Sequence, residues 1–304
     1  MNKRNDFLCI GAVHPDYIVK LKNNYFKKRT NPIIHKEKLG GVAFNVASKI
    51  AFLNEKIELI SINCNSRHKK EIKNQGILFK EINKKIHKRY YSSVLDKKGQ
   101  LILGLANMDS YEKNINLKLI KNRKNKKIIF DLNLSEKVIN FLINKYYINN
   151  YICICGTSAH KVYKIKSVLT KIDTLILNKQ ESLILTNKNS IKSALKHLIK
   201  INNTLNIIIT NGKNSVYAYK NKRIYLCKPP NVIINNENSA GDALSAFFNY
   251  YYCNTNKMYE SLRKSVVAGA LQAAGYLNNN KKKYLQKINH LSKKINIKVS
   301  NYNG

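Results

Sequence analysis

Asn235-Asn236-Glu237-Asn238-Ser239-Ala240-Gly241-Asp242-Ala243 is the stretch that decides how this chain is read. An apolar, strand-like run, Pro230 to Ile234, leads into it, and a helical pattern, Ala243-Leu244-Ser245-Ala246-Phe247-Phe248, leads out. Small residues at a loop-to-helix junction leave backbone N–H groups exposed, with the positive end of the helix dipole behind them. That arrangement binds anions, phosphate above all. Asp242 at the junction is either a charge partner for the helix or a base held beside a phosphoryl group. Taken alone, the segment reads equally well as a helix capped by Asn238 or Ser239, with Asp242 in its first turn.

A second junction far upstream tips that balance. Leu39-Gly40-Gly41-Val42-Ala43-Phe44-Asn45-Val46-Ala47 runs into apolar residues at helical spacing as far as Leu53. Paired glycines allow close backbone approach, and Asn45 falls one turn into the helix, within reach of a ligand over its N-terminus. A lone Gly-Gly before a helix is often only a turn. Two such junctions, the second carrying an acid, point to a site for two substrates.

These residues carry a resemblance. The chain is similar to the PfkB, or ribokinase-like, family of sugar and nucleoside kinases, which has a Gly-Gly-x-x-x-Asn-x-Ala motif near the N-terminus and a Gly-Ala-Gly-Asp motif near the C-terminus. Within that family it most resembles the pseudouridine kinases. Gly40 to Ala47 fits their first motif. Tyr91 to Leu103 with Asn107-Met108-Asp109, and Phe130-Asp131-Leu132-Asn133-Leu134-Ser135-Glu136, resemble segments they share. The likeness runs from about residue 7 to about residue 276, with the motifs in the family's order.

At 304 residues the chain is long enough for one large domain with a buried core. A net charge of +38 ordinarily suggests nucleic acid or an anionic membrane. Here the lysines are dispersed among Asn, Ile and Tyr, Trp is absent, and Gly and Pro number 12 and 4. A+T-rich coding yields that usage, so no specific nucleic-acid partner is expected, and non-specific RNA binding would be a by-product. The six cysteines are scattered, and Cys153-x-Cys155 is too tight for a usual zinc pair. Buried free thiols in a reducing compartment are the expectation. The start, Met1 to Asp6, lacks a long apolar core, and no run approaches membrane-spanning length. A cytoplasmic protein with no membrane partner is expected.

Short apolar runs alternate with helical patterns. Strands are predicted at Phe7–Gly11, Ile57–Ile62, Lys127–Asp131, Tyr151–Cys155, Thr174–Leu177 and Leu205–Thr210, with helices at Glu136–Tyr146, Ala159–Thr170 and Ile191–Ile201. Alternation of this kind predicts a mostly parallel sheet covered by helices on both faces. Tyr90–Leu95 and Leu101–Leu105 read as a hairpin, as do Val216–Tyr219 and Arg223–Leu226. The resemblance makes this a ribokinase-like three-layer α/β/α sandwich with a small β lid over the sugar. The kinase domain is expected over 1–277, with a lid from about 16–38 and 89–106. A basic tail, 278–304, is expected to pack loosely.

Phosphoryl transfer needs an in-line nucleophile, neutralised charge on the moving group and exclusion of water. Asp242 is the candidate base, its pKa expected to stay low beside a helix N-terminus, and the amides around Ala240, Gly241 and Asp242 are the candidate anion hole. The resemblance gives them the same roles and implies ATP and Mg²⁺. Asn178-Lys179-Gln180-Glu181 matches the family's Asn-x-x-Glu motif, whose glutamate organises the metal and phosphate through water. Without the family it is the polar start of a surface helix. Thr210-Asn211-Gly212 matches a nucleotide-side turn, or is ordinary punctuation after a strand. Asp16 could accept bonds from two ribose hydroxyls, or is a turn residue after Pro15. Gly40, Gly41 and Asn45 complete the sugar side, Asn133 and Ser93 line the same cleft, and His14 belongs to a turn. Monovalent-cation activation and lid-mediated homodimers, common among relatives, are implied by analogy alone.

Several positions depart from the family pattern. Ser239 stands where the anion hole usually has its first glycine, and a positive φ there would strain it. Ser215 replaces a glycine of the nucleotide-side turn. Cys155-Gly156 falls where an Asp followed by a polar residue or Pro is frequent, Asn107 where the pseudouridine kinases tend to have Asp, and the loop after Ile62 is short. The sequence reading is a pseudouridine kinase. The alternatives are another kinase of this type acting on ribose or a conventional nucleoside, and a catalytically weak, basic RNA-associated protein that keeps the fold.

Overall fold

The computed structural model describes residues 6–83, 88–113, 115–117, 120–122, 124, 126–235, 239–276 and 280–302. Its core is a ten-stranded sheet. The strands are β1 (Asp6–Ile10), β4 (Lys56–Ser61), β5 (Leu78–Glu81), β8 (Lys127–Phe130), β9 (Tyr151–Cys155), β10 (Thr174–Asn178), β11 (Asn206–Thr210), β12 (Val216–Lys220), β13 (Arg223–Cys227) and β14 (Ile297–Asn301). They lie in the order β14-β13-β12-β11-β10-β9-β8-β1-β4-β5, parallel from β11 to β5 and antiparallel at the β12–β14 edge.

Near-continuous apolar strands are what a sheet buried on both faces requires. Phe7 and Cys9 of β1 enter one layer and Leu8 and Ile10 the other, and Ile129 is likewise separated from Ile128 and Phe130. On the first face pack α1 (Val42–Phe52), α2 (Ser66–Asn74), α6 (Ala240–Thr255), α7 (Met258–Ala273) and α8 (Lys281–Lys293). On the second lie α3 (Glu136–Tyr146), α4 (Lys179–Thr186), α5 (Ile191–Ile201) and a 3₁₀ run, Val162–Lys171. These are the three layers of the ribokinase-like fold. Among the described residues, no helix is long and apolar enough to cross a membrane.

Four further strands form a separate sheet in the order β3-β2-β6-β7: β2 (His14–Leu21), β3 (Ile33–Gly40), β6 (Tyr90–Leu95) and β7 (Leu101–Asn107). This is the lid. Its edge strand β7 is exposed along its whole length, with Leu103 and Leu105 on one face and a register shift between Leu101 and Leu103.

Three expectations are corrected. The Ala159–Thr170 helix is a 3₁₀ run beginning at Val162. The apolar run 230–234 pairs with no strand, because Pro229 and Pro230 supply no N–H for a ladder. The basic tail is not loose. Tyr284 and Ile288 of α8 sit four residues apart on one face and are buried, Tyr284 against Phe52 and Phe247, and β14 pairs with β13 over five residues.

Candidate active site

The two helix starts singled out by sequence meet at the C-terminal ends of the parallel strands. The first intrahelical bond of α6 runs from Ala243 N–H to Ser239 carbonyl at 3.0 Å, so the amides of Ala240, Gly241 and Asp242 precede the helical ladder and have no backbone partner among the described residues. Asn45 Nδ2 donates to Asp242 Oδ2 at 2.7 Å and to Ser239 Oγ at 3.1 Å. The start of α1 is set by Gly41, whose φ of +107° carries the chain so close to Ala12 that a Cβ there would lie 2.4 Å from the Ala12 carbonyl oxygen. Phe44 N–H then bonds that same oxygen at 3.2 Å. Asp131, buried at the end of β8, accepts from Ala12, Ala43 and Asn133 N–H at 2.8, 3.1 and 2.9 Å, and so ties three loops together beneath the site.

Asp242 does not have the low pKa expected beside a helix N-terminus. Burial raises its carboxyl to about 6, and the charges of Asp131 and Asp16 add to the rise. The Asn45 hydrogen bond and Lys38 act against it. The helix dipole, a surface effect of a few tenths of a kcal/mol to about 1 kcal/mol, is outweighed by desolvation and two neighbouring carboxylates. Lys49, one turn beyond Asn45, is lowered by burial, which the Asp242 charge opposes.

A cleft of about 560 Å³ lies between the lid and the strand ends. Asp16, Gly41, Asn45, Ser93, Asn133, Asn178, Thr210, Glu181, Ser239, Gly241 and Asp242 all line it. Gly40 supports it from outside, since a Cβ at that position would meet the Asp16 carboxylate at 2.2 Å. His14 is not merely a turn residue: its Nδ1 lies 2.9 Å from Asp16 Oδ1 on β2. Ser93 is buried, with its hydroxyl 3.4 Å from Tyr17 carbonyl. The sequence reading gave no role to Lys38, Tyr91, Met108 or Lys161, which line the same space. Tyr91 and Met108 lie in segments that carry the resemblance, whereas no motif marks Lys38 or Lys161, because β3 and the loop after β9 carry no helix-start signature.

A second cavity, of about 580 Å³, adjoins the first and shares Asn178, Thr210 and Gly241 with it. Gly212 and Ala240 line it, with Pro229, Pro230, Val232, Ile234, Leu244 and Val266 forming apolar walls. At the junction Asn178 and Glu181 form a reciprocal cap on α4. Asn178 N–H donates to Glu181 Oε2 at 2.8 Å, and Glu181 N–H donates to Asn178 Oδ1 at 2.9 Å. Burial raises the Glu181 pKa, opposed by the Asn178 N–H. Gly156 makes this geometry available, because a Cβ there would lie 2.1 Å from Glu181 Oε2.

Both roots of the lid hairpin are fastened at one point. Tyr111 Oη donates to Val13 carbonyl and accepts from Val13 N–H, each at 2.7 Å. Arg89, just before β6, donates Nε to Val13 carbonyl at 2.7 Å and Nη1 to Asn63 carbonyl at 2.8 Å. Lys164, buried on the 3₁₀ run, donates to Leu134 carbonyl at 2.8 Å and pairs with Glu112.

The departures at Ser239 and Gly156 resolve in opposite ways. Ser239 has φ +64°, so a non-glycine residue occupies the left-handed region at the N-cap of α6. Its hydroxyl is engaged by Asn45 rather than capping α6. Asn238, the other cap considered, lies outside the described residues. Gly156 is required by the Glu181 position.

Comparison with known proteins accords with this geometry. A carbohydrate kinase from Agrobacterium tumefaciens superimposes with a TM-score of 0.76 at 19% identity, over 97% of this chain and 100% of that one. Phosphofructokinase-2 from Escherichia coli in complex with substrates and products gives 0.78 at 13%, over 94% and 99%. Ribokinase from Cryptococcus neoformans in complex with ADP gives 0.72 at 12%, over 95% and 100%. At these identities the likeness is one of fold. Among curated proteins no sequence matches. The model of the pfkB family of carbohydrate kinases matches residues 5–280, which takes in both glycine junctions, the lid and the Asn178–Glu181 cap, and the chain belongs to that family.

Proposed function

We propose that this protein is an ATP- and Mg²⁺-dependent kinase that phosphorylates the 5′-hydroxyl of pseudouridine, giving pseudouridine 5′-phosphate and ADP. The observation that carries the kinase reading is the position of Asp242. It lines the lid-covered cleft next to Gly241, which borders both spaces, and is held by Asn45 at the start of a helix whose first three amides have no partner among the described residues. An acceptor hydroxyl in one space and a nucleotide in the other would be brought into line there. For pseudouridine in particular, the two segments that carry the subfamily resemblance deliver Tyr91, Ser93, Met108 and Asn133 into the acceptor cleft.

With Oδ2 of Asp242 bound to Asn45, Oδ1 is left to accept the proton of the acceptor hydroxyl as that group becomes acidic in the transition state. A pKa near 6 leaves the carboxylate ionised at neutral pH and closer to its task than an ordinary aspartate. The 240–242 amides take the equatorial oxygens of the moving phosphoryl group. Asp16 grips the ribose diol, with His14 Nδ1 2.9 Å from its carboxylate.

The residues fit a magnesium ion of the kind bound mostly by phosphate and water. Glu181 lines the cleft beside the cavity junction, and the described residues hold no cluster of three or more metal-binding side chains. When bound, the ion neutralises charge on the nucleotide phosphates. Nothing in these residues assigns a monovalent-cation site. A reducing, cytoplasmic setting belongs to this reading, supported by six free cysteines, five of them buried. So does a homodimer joined through the exposed leucines of β7.

ATP turnover with Mg²⁺, comparing pseudouridine, uridine, adenosine and ribose at equal concentration, tests the assignment. Preference for pseudouridine is expected, and preference for another acceptor removes that specificity while leaving the chemistry. Asp242→Ala should fold and bind ATP but lose roughly 10²- to 10⁴-fold in kcat. A near-wild-type rate in that variant would remove Asp242 as the base.

A further inference from the structure

On one wall of the acceptor cleft, Lys161 and Asn133 have only hydrogen-bond donors left to offer a ligand. Asn133 is buried at the end of the loop after β8, and Lys161 Nζ lies 2.6 Å from its Oδ1. An ammonium group has no acceptor lone pair, so the amide atom facing it must be the carbonyl oxygen. That fixes the Asn133 amide: its oxygen is used, and its NH₂ is what remains for a ligand. Lys161 keeps two further N–H donors. Thr157, from the loop after β9, accepts from Leu132 N–H at 2.9 Å through its hydroxyl oxygen, which leaves the hydroxyl proton to donate elsewhere. All three side chains line the cleft.

The arrangement is held from behind. Lys164, one 3₁₀ turn after Lys161, bonds Leu134 carbonyl at 2.8 Å, and Asp131 Oδ1 accepts Asn133 N–H at 2.9 Å. The backbone of the loop that carries Asn133 is therefore fixed on both sides, and the Lys161 contact sets the orientation of its amide.

We propose that Lys161 and Asn133 determine acceptor specificity, selecting a substrate whose group at this wall presents only oxygen acceptors and rejecting one that presents an exocyclic amine. The chemistry is met by the carbonyl oxygens of a uracil-type ring or by the phosphate of a sugar phosphate. An amino group of adenine or cytosine would set donor against donor, with no partner for the buried amide. This inference rests on the kinase reading of the site.

The test measures kcat and KM for pseudouridine, uridine, fructose 6-phosphate, cytidine and adenosine with the wild-type protein, Lys161→Met and Asn133→Asp. Thermal melting checks that each variant is folded. The wild type should prefer the oxygen-bearing acceptors, the first two or the third showing which source is used. Lys161→Met should raise KM for the preferred acceptor roughly 10- to 100-fold with kcat changed far less, and should leave the poor KM of adenosine unmoved. Asn133→Asp presents an acceptor where a donor stood and should shift preference toward cytidine or adenosine. A role confined to packing would lower turnover of all acceptors together, and that result overturns the proposal, as does a wild type that favours adenosine. Loss of the kinase reading looks different: no acceptor is turned over by the wild type, while calorimetry still reports uridine or fructose 6-phosphate binding that weakens in Lys161→Met. If that binding is equal in the two proteins, the specificity proposal fails with it.

Discussion

Asn45 and Asp242, which head two helices from opposite ends of the chain, are joined by a 2.7 Å hydrogen bond from Nδ2 to Oδ2. The bond does two things at once. It aims the second carboxylate oxygen, and it holds down a pKa that burial pushes up.

The pH dependence of turnover follows from that pair. In the wild type kcat/KM should fall on the acid side with an apparent pKa near 6, as Asp242 takes up a proton. Asn45→Ala removes an interaction that favours the charged form, so the acid limb moves to higher pH, and activity at pH 7 drops by about 10- to 100-fold. A pH–rate profile of both proteins decides it. An unmoved limb in the variant would detach the titration from Asp242.

Stability should respond in the opposite sense. The folded-state pKa of about 6 lies above the ordinary 3.8, so the folded protein binds more protons than the unfolded chain between those values. The contribution of this carboxyl is fully present below 3.8 and is lost as pH rises through 6. Replacing Asp242 by Asn removes an ionised, half-buried group. The variant should gain on the order of 1–2 kcal/mol at pH 7 while losing turnover, and denaturant titrations at pH 7 and pH 4 should show that gain only at the higher pH.

Ser239 sits at φ +64°, where a side chain costs about 1 kcal/mol relative to glycine. Ser239→Gly should recover part of that, offset by loss of the 3.1 Å contact with Asn45. Turnover should hold or rise, since the amides proposed to face the phosphoryl group are kept. A lower melting temperature together with lower kcat would show that the hydroxyl does more than tolerate its place.

Gly156→Ala puts a methyl group where Glu181 Oε2 now lies. The glutamate must leave its cap on α4, which should cost about 1 kcal/mol of stability. It should also raise the Mg²⁺ concentration needed for half-maximal turnover, with little change in acceptor KM. Magnesium titrations at saturating ATP would reveal this, and an unaltered midpoint would separate Glu181 from the metal.

Leu103→Lys on the exposed lid edge tests the homodimer. Sedimentation at several concentrations should show the wild type associating and the variant monomeric, with the melting temperature of the dilute protein unchanged. Equal behaviour of the two would take β7 out of any interface.

The helix starts that frame the cleft were legible in the sequence. Gly41, Asn45 and Asp242 stand at junctions whose local composition announces them, and the apolar runs of β1, β8 and β11 declare a sheet buried on both faces. What was hidden has a physical reason in each case. Only Ile297 of β14 is buried, so the strand shows no alternation to read. Helix α2 buries just His68 and Ile72 and is otherwise polar. The pKa of Asp242 depends on Asp16 and Asp131, neighbours in space but far apart in the chain. Lys161 is one of 55 basic residues, and nothing around it in sequence distinguishes it from those that only face water.

The fastening of Arg89 and Tyr111 to Val13 has a mechanical consequence. Val13 immediately precedes β2, and β2 is the strand that carries Asp16. The four-stranded lid is therefore fastened to the body beside the group proposed to hold the acceptor. Asp16, three residues from that fixed point, would stay nearly in place while the far end of the flap moves, so the grip proposed for it would outlast an opening of the cleft.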